Sequence, residues 1–186
     1  MKKLLILLLV ILPIKYVNAQ WKPTNGPYGA PITCIAVNGN NIFAGTNNGL
    51  FLSQDNGANW KVINNGLIYT DIRSIVIDGN NTIVGTTYGH IYISSDNGTS
   101  WTGVSSHIEG FITSFAIIDN KIFAATSVGR TYISSNHGSS WTELLNYYFT
   151  SIAIGGNKIY GGGLQGQVSV SSDSGANWTA LSLIHI

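Results

Sequence analysis

Ser94-Ser95-Asp96-Asn97-Gly98-Thr99-Ser100-Trp101 is one copy of a box, Ser-x-Asp-x-Gly-x-x-Trp, that decides the fold of this chain. The runs from Ser53 to Trp60 and from Ser171 to Trp178 repeat it, with Asp55, Gly57, Asp173 and Gly175 in the matching places. The run from Ser134 to Trp141 keeps Gly138 but carries Asn136 where the others have Asp. Trp60, Trp101, Trp141 and Trp178 follow one another at 41, 40 and 37 residues. A period of about forty residues means stacked supersecondary units, none of which can bury its apolar face alone.

The units match beyond the box. The first runs through Ile32–Val37, Ile42–Thr46, Gly49–Ser53 and Trp60–Ile63, and the other three carry runs in the same order. Each run is four to six residues, rich in Ile, Val, Phe and Tyr, and bounded by Gly, Asn and Asp, which is how strands read. Asn38-Gly39-Asn40, Asp78-Gly79-Asn80-Asn81, Asp119-Asn120 and Gly155-Gly156-Asn157 supply the turn chemistry of tight hairpins between the first two strands. No stretch after the N-terminal segment has a convincing 3.6-residue apolar period, so almost no helix is expected. Four antiparallel strands per unit make one blade of a β-propeller, with strands A to D from the inside outward. The expected blades cover about residues 32–63, 72–104, 112–145 and 150–180. Strand A is the most uniformly apolar, which suits burial on both faces.

The box falls at the C–D hairpin. Its Asp can accept hydrogen bonds from turn N–H groups, and its Gly allows a positive φ. This turn chemistry accounts for the box in full. One carboxylate per box is too few for a hard cation, so no metal or cofactor is expected there. The pattern resembles the Asp-box, or bacterial neuraminidase, repeat over about residues 21–178. The resemblance implies a propeller but no particular chemistry. Similar boxes occur in sialidases, xyloglucan-oligosaccharide-cleaving glycosidases, sortilin-type receptors, photosystem II assembly factors and many secreted Bacteroidetes-type proteins.

Met1-Lys2-Lys3, the apolar run Leu4–Ile14 and Val17-Asn18-Ala19 read as a secretory signal peptide over residues 1–19, cleaved after Ala19. The apolar run is too short to span a bilayer comfortably, so stable membrane insertion is not expected. Without Lys2, Lys3 and Lys15, six Lys or Arg face eight Asp or Glu, which leaves no basic patch for nucleic acid. The single Cys34 cannot form an internal disulfide. Trp21-Lys22-Pro23 repeats Trp60-Lys61-Val62 in phase, so residues 20–31 are expected to supply a lone D strand that closes a ring. Residues 181–186, Leu-Ser-Leu-Ile-His-Ile, match the translation of a transposase mosaic-end adapter. On that reading the chain is the N-terminal part of a larger propeller, with four blades in an open arc and its partner blades downstream.

Function is expected away from the boxes, on the D–A and B–C loops around the central channel. Those loops and their flanks carry Tyr69, Asp71, Tyr88, His90, Glu109, Phe111, Arg130, Tyr147 and Tyr148. The aromatics suit either blade-to-blade packing or a sugar or peptide ligand. Sialidase chemistry needs an arginine cluster, and only Arg73 and Arg130 are present. Glycoside hydrolysis needs two carboxyl groups across the scissile bond, and no spacing pairs Asp71 with Glu109. The reading is therefore a secreted non-catalytic scaffold, or a protein- or glycan-binding module. The alternative is part of a glycoside hydrolase whose site is completed by further blades.

Overall fold

The computed structural model describes residues 25–104, 108–144 and 147–183. The expected signal peptide and residues 20–24 of the expected D strand lie outside them; residues 25–31 form no strand, and Asn25 makes an isolated parallel bridge to Asn59. Sixteen strands form four separate four-stranded antiparallel sheets. The first blade holds β1 (Ile32–Asn38), β2 (Asn41–Thr46), β3 (Gly49–Ser53) and β4 (Lys61–Val62). The second holds β5 (Ile72–Asp78), β6 (Asn81–Thr86), β7 (Ile91–Ser94) and β8 (Thr102–Val104). In the third are β9 (Ile112–Ile118), β10 (Lys121–Thr126), β11 (Thr131–Ser134) and β12 (Thr142–Glu143). The fourth has β13 (Ser151–Gly155), β14 (Lys158–Gly162), β15 (Gln167–Ser171) and β16 (Thr179–Leu183). Each sheet is a meander in chain order, so the fold is all-β with propeller blades. The strands β1, β5, β9 and β13 pack side by side in that order, and the arc is open.

Apolar side chains from facing blades build one core per junction. Phe43, Leu50, Leu52 and Ile63 of the first blade meet Ile72, Val84, Tyr92 and Trp101 of the second. Ile83 and Ile91 meet Ile112, Ile122 and Tyr132 across the second junction. Phe123 and Ala125 meet Phe149, Ile152 and Ile159 across the third. The junctions are tight at the B strands. A Cβ on Gly45 would lie 2.7 Å from Ile72, and one on Gly85 would lie 2.6 Å from Ile112. Small residues there let the next A strand seat against the sheet.

Burial departs from the sequence expectation. The B strands β2, β6 and β10 are the most buried, whereas β1 and β13 are largely exposed. The reason is geometric. A strand B has its own sheet on both edges and a blade against one or both faces, while strand A keeps one edge on the channel. In β1 and β13 one face is bare as well. Residues 181–183 pair with β15, Leu183 opposite Gln167 and Ser182 opposite Val168.

Candidate ligand face

Each box lies in the turn between strands C and D, and its hydrogen bonds close on themselves. In the second box the Ser94 hydroxyl donates to Asp96 Oδ1 at 2.7 Å and accepts the Gly98 N–H at 2.8 Å. Asp96 Oδ1 also accepts the Ser100 N–H at 2.9 Å, and Oδ2 accepts the Ser100 hydroxyl at 2.6 Å. Ser53 with Asp55 and Ser171 with Asp173 repeat the network, with Asn59 and Asn177 as the last partners. Asn136 reproduces it without charge. Its Oδ1 accepts from Ser134 and from the Ser140 N–H, and its amide donates to Ser140 Oγ. The backbone at Asn97 and Gly98 has φ of 56° and 81°, so two successive residues are left-handed. Asn56, His137 and Ser174 share that conformation, which the box consensus hides because the position varies.

Three of the box Trp side chains, Trp101, Trp141 and Trp178, then seal the three junctions. Trp101 is buried against the first blade, and its indole N–H donates to the Ile63 carbonyl at 2.7 Å. Trp60, Trp141 and Trp178 instead donate to Gly57, Gly138 and Gly175 of their own boxes. The same turns clasp the preceding blade. His137 Nδ1 bonds Asp78 at 2.7 Å, the Ser174 hydroxyl bonds Asp119, and Lys121 Nζ donates to the Ser174 carbonyl at 3.1 Å. Asp78 and Asp119 thus work at the rim.

Bonds to the ionised form pull the box carboxylates down. Asp96 is lowered to about 2, first by the Ser100 hydroxyl and N–H and then by Ser94. Asp173 is lowered to about 2, first by the Asn177 N–H and amide. Asp55 is lowered by Asn59 and Ser53. A folded value below the unfolded 3.8 makes the contribution complete above that pH and lost as pH falls towards 2. Asp96→Asn, copying Asn136, is therefore expected to lose less Tm than wild type between about pH 5 and pH 2. Parallel losses in thermal melts would contradict the ionic role.

The loop face is built differently. The rings of Tyr69 and His90 stack, 4.0 Å apart and 2° from parallel, with Tyr88 6.0 Å from Tyr69. Arg73 pairs with Asp71 at 3.3 Å, donates to Thr87 Oγ1 at 2.8 Å and lies 5.5 Å over Phe111. Arg130 takes Glu109 at 2.8 Å and also bonds Glu143. These two carboxylates hold the guanidinium more firmly protonated, Glu143 foremost. Loop proximity carries the face onward. The Cβ position of Gly110 is 3.1 Å from Val128, and that of Gly129 is 3.3 Å from Leu164 and 3.8 Å from Tyr148. Tyr69, Tyr88, Phe111, Val128, Tyr148 and Leu164 thus form an exposed apolar row over three blades.

The structure separates two neighbours that the sequence placed together. Tyr148 is exposed, but Tyr147 packs on Trp178 and Phe149 at 5.8 and 6.3 Å, within the third junction. Its ring fills the space beside the box Trp, so it serves packing. Val128 and Leu164 join the row, although a lone aliphatic in a short loop gave no sequence signal. Hollows of about 250 and 310 Å³ lie elsewhere, on outer strands, lined by Leu52, Trp60 and Lys61 and by Ile93, Thr102 and Ser139. They are shallow clefts beside box turns.

Sheet order, blade junctions and the loop face define a β-propeller-type protein. Solved structures share this fold. An ancestral GH74 enzyme superposes with a TM-score of 0.69 at 24% identity, over 85% of this chain and 25% of that one. The extracellular domain of the one-component system BT4673 from B. thetaiotaomicron gives 0.68 at 17%, over 86% of this chain and 23% of that one. YCF48 bound to D1 peptide gives 0.63 at 16%, over 82% and 53%. The chain therefore spans about half of YCF48 and about a quarter of the other two. No family model and no curated protein sequence matches it.

Proposed function

We propose that this chain is a secreted, non-catalytic Asp-box propeller module that binds a protein segment on its D–A and B–C loop face. The observation that carries this reading is the exposed apolar row from Tyr69 and Tyr88 to Tyr148 and Leu164. Such a row rimmed by polar groups suits a macromolecular partner. The nearby carboxylates of Asp71, Glu109 and Glu143 are each held by an arginine, so they shape the rim as ion pairs. YCF48 holds a peptide on the same type of fold, which makes a peptide-sized ligand a reasonable first probe. The boxes belong to the rim and serve stability, and secretion rests on the N-terminal signal sequence.

The test is a displayed random-peptide library selected on the full chain. Selected peptides are expected to bind more than about tenfold more weakly to Tyr88→Ala and Tyr148→Ala, which are exposed and free of core packing. Asp96→Asn is expected to bind as wild type. Turnover of xyloglucan oligomers or sialosides that vanishes in Asp71→Ala or Glu109→Ala would overturn the reading in favour of a glycoside hydrolase.

A further inference from the structure

One end of the loop face has the shape and the charge to select its ligand. The rings of Tyr69 and Tyr88 stand 6.0 Å apart with their planes 59° from parallel, so together they form a corner. His90 stacks on one face of Tyr69 and backs the corner on that side. Tyr69 is 40% and Tyr88 70% exposed, so ring surface stays open. A ring face carries the negative part of the aromatic quadrupole and attracts a cation. The loop face already holds one such pair of its own, the Arg73 guanidinium over Phe111.

The charges beside the corner have the matching sign. Among the described residues, the D–A and B–C loops carry no lysine. Together with the adjoining strand ends, their charged groups are Asp71, Arg73, Glu109, Arg130 and Glu143. Arg73 meets Asp71, but Arg130 alone serves both Glu109 and Glu143, which leaves one negative charge in excess. Glu109 is the most open of the three carboxylates, with its side chain 51% exposed. Its loop touches the Tyr88 turn, because a Cβ on Gly89 would strike the Ile108 carbonyl and lie 2.8 Å from that of Gly110. Asp71 is incompletely served as well. Arg73 Nε lies 3.3 Å from its Oδ1 but gives its one hydrogen to Thr87 Oγ1, and no described residue donates a hydrogen bond to that buried oxygen.

We propose that the Tyr69–Tyr88 corner seats a basic side chain, arginine or lysine, of the bound segment, with Glu109 as its counter-charge. The apolar row towards Tyr148 and Leu164 then holds uncharged neighbours of that residue. Such a seat presupposes the ligand reading above and adds to it the sign of the partner, a basic peptide in place of an acidic or neutral one.

Peptides selected from the displayed library on the full chain are the probes. They are expected to be enriched in Arg or Lys over the unselected library and poor in Asp and Glu. Replacing that basic residue by Met, which keeps length without charge, is expected to raise Kd about fivefold or more. Tyr88→Leu removes the ring but keeps an apolar side chain at an exposed position. It is expected to weaken the basic peptide by a similar factor and to leave the Met peptide nearly unchanged. Glu109→Gln is expected to weaken the basic peptide and flatten its salt dependence. Peptides that lose binding in Tyr148→Ala yet carry no basic residue, or tolerate Met in its place, would overturn the basic seat and leave the ligand reading standing. Equal losses of the basic and the Met peptide in Tyr88→Leu would overturn it too, since the ring would then act by apolar contact alone. Peptides indifferent to both Tyr88→Ala and Tyr148→Ala would overturn the ligand reading and the seat with it.

Discussion

Trp101→Ala is expected to cost about 3–5 kcal/mol of folding stability. The indole is buried in the first junction, so its loss opens a cavity among Phe43, Ile63 and Val84. It also leaves the Ile63 carbonyl without the indole N–H. Total stabilities of single domains are about 5–15 kcal/mol, so this one change removes a large share. Urea titration followed by far-UV circular dichroism is the check, since that signal reads chiefly the backbone of the sheets. A loss below about 1 kcal/mol would show that the junction is not closed by this side chain.

Gly66→Ala is expected to be nearly as damaging, for a backbone reason. Gly66 has φ of 94°, and an added Cβ would run into the Trp101 carbonyl, an atom that cannot swing aside. Left-handed strain of about 1–2 kcal/mol then adds to overpacking of about 1–3 kcal/mol. Gly79→Ala is the internal control. Its φ is 59° and nothing lies within 4 Å of the new carbon, so only the strain remains, about 1–2 kcal/mol. Paired urea titrations should place Gly66→Ala clearly below Gly79→Ala. Equal midpoints would mean that the loop carrying Gly66 gives way easily and does not grip the second blade.

The architecture was legible because the box repeats and the strand runs keep their order in all four units. Hydrophobic content, however, misled on burial. Ile35 and Val37 are as apolar as any B-strand residue, yet strand A borders the channel and the first blade has a bare face. Sequence periodicity cannot tell which neighbour is missing. The left-handed residue that precedes each box Gly was hidden for another reason. Asn, His and Ser all occupy it, and only the preceding Ser–Asp network forces the turn there. At the loop face the candidate residues could be gathered by topology, but their partners could not. Nothing in the spacing of Glu109, Arg130 and Glu143 announces that one guanidinium serves both carboxylates. Nor could it separate Tyr147, which turns into the third junction, from Tyr148, which turns out.

The central claim is that the loop face recognises a partner while the box rim only holds the blades together. Isothermal titration of one selected peptide into wild type, Tyr88→Ala and Asp96→Asn at neutral pH tests it most directly. The predicted result is a Kd raised more than about tenfold in Tyr88→Ala and unchanged in Asp96→Asn. The reverse pattern, binding lost in Asp96→Asn and kept in Tyr88→Ala, would place recognition at the boxes and contradict the account.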